Sequence, residues 1–297
     1  MKFSFMNKLL MDIADEKNIK LEFFSYNYIA KLKKDGKEKY ILGSDIGNNS
    51  DISLKIANDK CCTYLVLSQH NIPVAEHRFI DASNICDLNF TKKYNYDVVV
   101  KPNQGLQGKD VMHVTNYDNL VKEAKRIIKI DKSVTISPFY NIKEEYRTVY
   151  LDGECLLTYA KDRLFVIGNS ENSVKELIKI QNLEKINLEN IDKDVLNYVP
   201  KKNEKKYISW KHNLCFGAKP RIITDKCKLS QIHKIVKEAT KAIDITFATI
   251  DVIELFSSEL LVLEINATVG MTKFSEYVAN GYNITKDIFS KAIDKLF

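Results

Sequence analysis

The sequence predicts an α+β protein, mixed α/β in its element order, and three observations carry that prediction. Segments with helical periodicity alternate with short β-branched segments along the 297 residues. Apolar residues make up 45% of the chain and charged residues 28%, with only ten glycines and five prolines, which sets aside disordered and fibrous classes. Two stretches, around residues 96–114 and 249–266, have the pattern of antiparallel hairpins.

The elements follow in order. "SDISLKIANDKCCTYLVLSQHNIPV" (50–74) reads as one or two helices, capped at Ser50 or Asp51 and finished before Pro73. "YDVVVK" (96–101) is a buried strand and "DVMHV" (110–114) its return, with a glycine-containing loop between them. "DNLVKEAKRIIKI" (118–130) places Leu120, Val121, Ala124, Ile127 and Ile128 on one helical face, and "SVTIS" (133–137) is again strand-like. Residues 145–168 read as two or three antiparallel strands with Asp152-Gly153 as a tight turn. A short helix, "SVKELIKIQN", follows, and the charge run "PKKNEKK" (200–206) reads as a solvated loop. Ile232, Ile235, Val236, Ala239 and Ile243 mark an amphipathic helix before the last pair of strands. The division expected is residues 1–90 as an N-terminal region and helical lead-in, 91–136 as a lid subdomain, and 137–297 as a C-terminal subdomain with a metal site.

Composition narrows the function classes. The net charge of +6 is spread among acids, which suits a small anionic ligand and not a nucleic acid. The six cysteines contain no C-x-x-C pair, so neither a zinc site nor a disulfide framework is indicated, and reduced thiols point to the cytoplasm. The first residues are broken by Asn7, Lys8 and Asp12 before they could form a signal peptide, and no long apolar run suggests a membrane span.

The hairpin "TIDVIELFSSELLVLEINATVGM" (249–271) carries the most chemistry. A turn centred between Ser257 and Ser258 sets Asp251 directly opposite Glu264, and Asn266 projects from the same face as Glu264 because strand side chains alternate. Two facing carboxylates repel unless a proton or a cation joins them. Two acids and an amide offer hard oxygens suited to Mg²⁺, with Mn²⁺ as the alternative ion. In the other hairpin, Lys101 ends an apolar strand, and the loop "NQGLQGKD" offers backbone N–H groups at Gly105 and Gly108. It is not a P-loop, because Asn103 and Asp110 stand where that motif needs Gly and Ser or Thr. Arg147, Arg163 and Arg221 recur at strand positions and can partner phosphate. His113, His212 and Cys215 read as packing or surface residues.

These residues, taken in series, resemble the ATP-grasp superfamily, in particular its branch containing cyanophycin synthetase and the ligase domain of the fused bacterial glutathione synthetase. The motifs "IANDK", "NIPV", "VVVKPNQGLQGKDV", "EEYRTVYLDGE", "VIGNSENSVKELI", "HNLCFGA", "ITFATIDVI" and "VLEINATVGM" occur in the family's order over residues 53–290. The resemblance implies two α+β subdomains gripping ATP between antiparallel sheets. Lys60 and Lys101 would contact the nucleotide phosphates under a lid formed by Gly105, Gln107, Gly108 and Lys109. Phe139 and Tyr140 would line the adenine hinge and Glu145 would bind ribose. Asp251, Glu264 and Asn266 would hold the metal, and Arg147, Arg163, Asn213 and Arg221 would lie near the substrate carboxylate and its acyl phosphate.

The chain departs from the family at Ser137-Pro138, where an acidic residue often reads adenine, at Asp110, where a Gly is usual, and after Arg163, where a Pro is missing. The activity implied is ATP-dependent amide-bond formation through an acyl phosphate, releasing ADP and phosphate, on small carboxylate and amine substrates such as amino acids, small peptides or a specialised metabolite. Neither a nucleic-acid nor a membrane partner is expected, and a homodimer is left open. Two other readings stand beside it: a ligase adding amino acids to a peptide or protein tail, and a non-catalytic ATP-binding regulatory or scaffold protein.

Overall fold

The computed structural model describes residues 4–24, 28–105, 108–183 and 191–297. Four antiparallel sheets form among them. Helix α1 (Phe5–Glu16) is capped by Ser4 and packs over a three-stranded meander, β1 (Lys20–Phe24), β2 (Ile29–Lys34) and β3 (Lys37–Leu42). The β2–β3 turn is Asp35-Gly36, both residues with positive φ, as the shortest hairpin loops require. The meander is absent from the sequence reading because lysines fill most of its outward positions and blur the alternation.

Two helices follow, α2 (Asp51–Asn58) and α3 (Lys60–Gln69). Ser50 caps the first, and Asp59 both ends it and caps the second, accepting from Cys62 N at 2.7 Å. That junction fixes Lys60 at the start of a helix.

A four-stranded sheet in the order β4-β7-β5-β6 comes next, from β4 (Arg78–Asp81), β5 (Val98–Pro102), β6 (Met112–Val114) and β7 (Ser133–Pro138). Helix α4 (Tyr117–Asp131), capped by Asn116, covers one face through Leu120, Ala124 and Ile127, against Val98, Val100, Val114, Val134 and Ile136. The odd-numbered positions Val99, Lys101 and Thr135 are left on the opposite face.

The five-stranded sheet, in the order β12-β9-β8-β13-β14, is the centre of the molecule. Its strands are β8 (Ile142–Leu151), β9 (Glu154–Asp162), β12 (Lys219–Ile222), β13 (Phe247–Leu255) and β14 (Leu260–Asn266). Asp152-Gly153 turns β8 into β9. One face packs on α7 (Lys226–Ala242), whose Ile232, Ile235, Val236 and Ala239 are buried. At its far end the sheet meets α8 (Thr272–Tyr277) and α9 (Gly281–Asp294) in the core shared with α1.

Between β9 and β12 lies a small unit with its own core of Leu164, Val166, Val174, Leu177, Ile178 and Ile208. It contains β10 (Phe165–Ile167), α5 (Val174–Ile180), α6 (Lys193–Asn197) and β11 (Lys205–Tyr207). Here the structure corrects the sequence reading. The end of the charge run is a strand paired with β10, not a solvated loop. Lys205 Nζ lies 4.0 Å from the Phe165 ring and Lys206 Nζ 4.2 Å from Tyr198, so aromatic faces receive the charges while the backbone pairs.

Candidate active site

The acidic hairpin reaches its geometry by a route other than the one expected. Near the turn the register is Glu254↔Leu260, Ile253↔Leu261 and Val252↔Val262, one residue off a turn centred between Ser257 and Ser258. That register leaves an odd number of residues in the loop, and Ser258 within it takes a left-handed φ of 69°. A bulge then adds one residue, Leu263, to β14, so that Asp251 pairs with Glu264, Ile250 with Ile265 and Thr249 with Asn266. The two offsets cancel.

Across the other edge of β13, Asp251 is paired with Arg147 of β8. Arg147 donates from Nε to Oδ1 at 2.7 Å and from Nη2 to Oδ2 at 2.6 Å, a two-pronged guanidinium–carboxylate contact. Lys161 of β9 donates to Oδ2 at 2.9 Å and also pairs with Glu145. Asp251 and Lys161 are buried. Burial would raise the Asp251 pKa, but Arg147 and Lys161 outweigh it and hold the carboxyl well below its usual range. Burial likewise opposes the charge on Lys161, and Asp251 and Glu145 override it. Charges on this face therefore answer one another. Sequence reading missed Lys161. It lies two residues before Arg163, at the end of β9.

The lid side is different. Lys101 is buried at the end of β5 and paired in register with Thr135. Burial, reinforced by the nearby Lys60, lowers its pKa to about 8, while Glu264 and Glu145 pull the other way. Lys60 donates to the carbonyls of Gly105 at 2.9 Å and Asn103 at 3.3 Å. Neither lysine has an ion pair among the described residues. Asn103 braces the arrangement: its amide nitrogen donates to Asp59 at 2.7 Å, and its oxygen accepts from Thr135 Oγ1 at 2.8 Å and Cys61 N at 3.3 Å. Lys60 and Gly105 line one narrow cleft with Glu264 and Asn266, so the lid cations and the hairpin acids share a space.

Gly108 has a φ of +70° and lies directly on Asn213, where a Cβ would come within 2.4 Å of the amide nitrogen. Asn213 Oδ1 accepts from Cys215 N at 2.7 Å, which starts a short 3-10 turn over Leu214–Phe216. Lys109 is exposed, and Gln107 lies outside the described residues. Asp110 takes a left-handed φ of 55° and pairs with Arg126 of α4 at 2.7 Å, so the departure from Gly ties this end of the loop to the lid helix.

In the hinge, Phe139 N donates to the Asp97 carbonyl at 3.0 Å, and its ring stacks on His113 at 3.8 Å with Trp210 edge-on at 5.4 Å. The Tyr140 hydroxyl accepts from Glu76 N at 2.8 Å. Arg163 lies over the Tyr207 ring at 4.0 Å. Arg221 is turned to Asp162, at 2.8 and 3.1 Å, and to Glu144 at 2.5 Å, both on the other side of the sheet from Lys161 and Glu145. The sheet thus brings Arg147, Glu145, Asp251, Glu264 and Asn266 together, with Arg163 at its rim and Arg221 occupied elsewhere.

Asp251, Glu264 and Asn266 fit a hard divalent ion by their chemistry. Asn266 Nδ2 donates to Glu264 Oε1 at 3.2 Å, which leaves the amide oxygen for a cation.

Two antiparallel sheets that enclose lysines on one side and carboxylates on the other define an ATP-grasp fold, and known structures agree. A bifunctional glutathione synthetase from Pasteurella multocida superposes with a TM-score of 0.60 at 21% identity, over 96% of this chain and 44% of that one. D-alanine–D-alanine ligase from Bacillus anthracis complexed with ATP does so at 0.58 and 17%, over 83% of this chain and 67% of that one. Residues 166–292 match the model of the RimK-like ATP-grasp domain. The chain has the ATP-grasp fold. Cyanophycin synthetase of Trichormus variabilis is 23% identical over 274 residues, covering 83% of this chain and 30% of its own. The glutathione biosynthesis bifunctional protein of Clostridium perfringens is 25% identical over 277 residues, covering 85% and 33%. The chain thus spans about a third of the length of these curated relatives. Among the described residues no helix is long and apolar enough to cross a membrane.

Proposed function

We propose that this protein is an ATP-dependent carboxylate–amine ligase working through an acyl phosphate, on small substrates such as amino acids or short peptides, with Mg²⁺ as the ion. One observation carries the reading: Lys60, with no acid partner among the described residues, lines one cleft with Glu264 and Asn266, and Lys101, likewise without one, is buried close enough to feel the charges of Lys60 and Glu264. Magnesium triphosphate supplies anionic oxygens for the lysines and a cation for Glu264, the acid of the Asp251–Glu264 pair with no basic partner among the described residues. The relatives named as synthetases and ligases support the same chemistry.

In this reading Asp251, Glu264 and Asn266 hold the ion, which neutralises charge on the phosphate oxygens. Lys60 and Lys101 bind phosphate, Glu145 takes ribose, and Phe139 and Tyr140 flank the base. Gly105, Gln107, Gly108 and Lys109 cover the site against water, as a reactive acyl phosphate requires. Arg147, Arg163 and Asn213 orient the carboxylate, with Arg221 as an outer contributor. Residues 1–90, 91–136 and 137–297 form the working units, the first lending strand β4 to the lid sheet. The unpaired cysteines support a cytoplasmic location.

Release of phosphate from ATP, screened against pools of carboxylates and amines, tests this. Phosphate release that needs both a carboxylate and an amine is the expected result. ADP formed without free phosphate would indicate a kinase instead, and tight ATP binding without turnover on any pool would leave a nucleotide-binding scaffold.

A further inference from the structure

A cavity of about 180 Å³ opens where β8 begins and β9 ends, and three groups at it keep an unanswered charge or lone pair among the described residues. Arg163 stacks on Tyr207 and has no acid partner among the described residues. Lys205 sits 4.0 Å from the Phe165 ring and 5.1 Å from Tyr207, likewise with no acid partner there. His212 is 6% exposed, and its Nδ1 is 2.8 Å from the main-chain carbonyl of Lys161. A carbonyl only accepts, so Nδ1 carries the hydrogen and a neutral ring presents a lone pair at Nε2. That Nε2 is buried with no hydrogen-bond partner, a state that disfavours the site until a donor reaches it.

The other cations around the cavity are committed: Lys161 to Asp251 and Glu145, Arg221 to Asp162 and Glu144, Lys143 to Glu254. What remains is two free cations beside one free acceptor. A phosphate or a simple carboxylate satisfies the cations and leaves the lone pair unanswered, whereas an alcohol does the reverse. A zwitterionic α-amino acid answers both.

We propose that His212 selects the amine substrate: its Nε2 accepts an N–H from the α-amino group of an amino acid whose carboxylate rests on Arg163 and Lys205. This rests on the ligase reading, and within it His212 is a specificity-determining residue for the nitrogen nucleophile. Burial pushes the imidazole down to about 4 against the opposing hydrogen bond to the Lys161 carbonyl, with the charges of Arg163 and Lys161 adding to it and Asp162 resisting, so the ring stays neutral and accepting near neutral pH.

Calorimetry on the full chain, with ATP present and absent, measures binding of the common L-amino acids one at a time. For the tightest binder, its carboxamide and its deaminated acid are measured as well. Each analogue is expected to bind at least ~10-fold more weakly, the size of one lost hydrogen bond or charge contact. His212→Phe should erase the preference for the amino acid over its deaminated acid, and His212→Gln, which keeps an acceptor, should restore part of it. Arg163→Gln should instead erase the preference over the carboxamide, a readout available even if the phenylalanine variant does not fold. The proposal is overturned if no amino acid binds, if binding displaces ATP, or if His212→Phe keeps the full preference for the amine. Failure of the ligase reading looks different: His212-dependent binding persists, but no amine drives phosphate release.

Discussion

The central sheet and the lid sheet treat charge in opposite ways. On the central sheet Arg147, Asp251, Lys161 and Glu145 form a closed chain of ion pairs in which burial of each charge is offset by a neighbour. On the lid side Lys101 is buried with another cation nearby and no acid paired to it among the described residues. A network that satisfies itself holds its geometry without ligand, whereas a buried lone cation is stable only to the extent that something anionic visits. The first is a platform and the second a receptor, and the cleft between Lys60 and Glu264 is where they meet.

The sharpest way to break this contrast is to remove an acid that faces the lid. Glu264→Ala should lower phosphate release by on the order of 100-fold or more, as loss of a charge-stabilising group in a site does, with little change in fold by circular dichroism. Wild-type turnover in that variant would sink the metal assignment. The platform should fail in a different manner. Arg147→Ala leaves Asp251 with half its compensation and should cost about 3 kcal/mol in urea unfolding, because an uncompensated buried charge is worse than none.

Gly108→Ala tests the cover. Its left-handed φ and the missing space over Asn213 predict a loss of about 1 kcal/mol or more in stability, together with weaker ATP binding in a titration. The pKa of Lys101 in the folded chain is about 8 against a usual 10.5, so from about pH 8 to 10.5 the unfolded chain holds the extra proton, and stability contributed by this group rises with pH across that window. Phosphate should restore the ammonium, so ATP binding near pH 9 should take up protons, seen as a binding enthalpy that depends on the buffer. The smallest effect concerns the single tryptophan: Trp210 packs against Phe139 in the hinge, and nucleotide should shift its fluorescence.

Much of this was legible in the sequence, and the gaps have physical causes. Helix α4 shows plainly because Leu120, Ala124 and Ile127 repeat at helical spacing behind an Asn cap. The acid pair also shows, because the odd-length turn and the bulge at Leu263 cancel and leave Asp251 opposite Glu264, as a turn centred between Ser257 and Ser258 would. The β1–β3 meander hides behind solvent-facing lysines, although Asp35-Gly36 is a strong hairpin signal that sequence reading passed over. Lys161 was missed although it stands two residues before Arg163, because what marks it is a long-range partner, Asp251; His212 was read as a packing or surface residue, and the cavity beside it is built by residues distant in sequence.

The bulge at Leu263 has a mechanical consequence. Because β14 absorbs the odd-length turn one residue before Glu264, the hairpin tip can gain or lose a residue without rotating the acids at its base, provided the bulge opens or closes in step. Turn and site are uncoupled, like a rope with slack below the knot. What must be kept along this stretch is the parity of the count between Asp251 and Glu264, not any one residue within it.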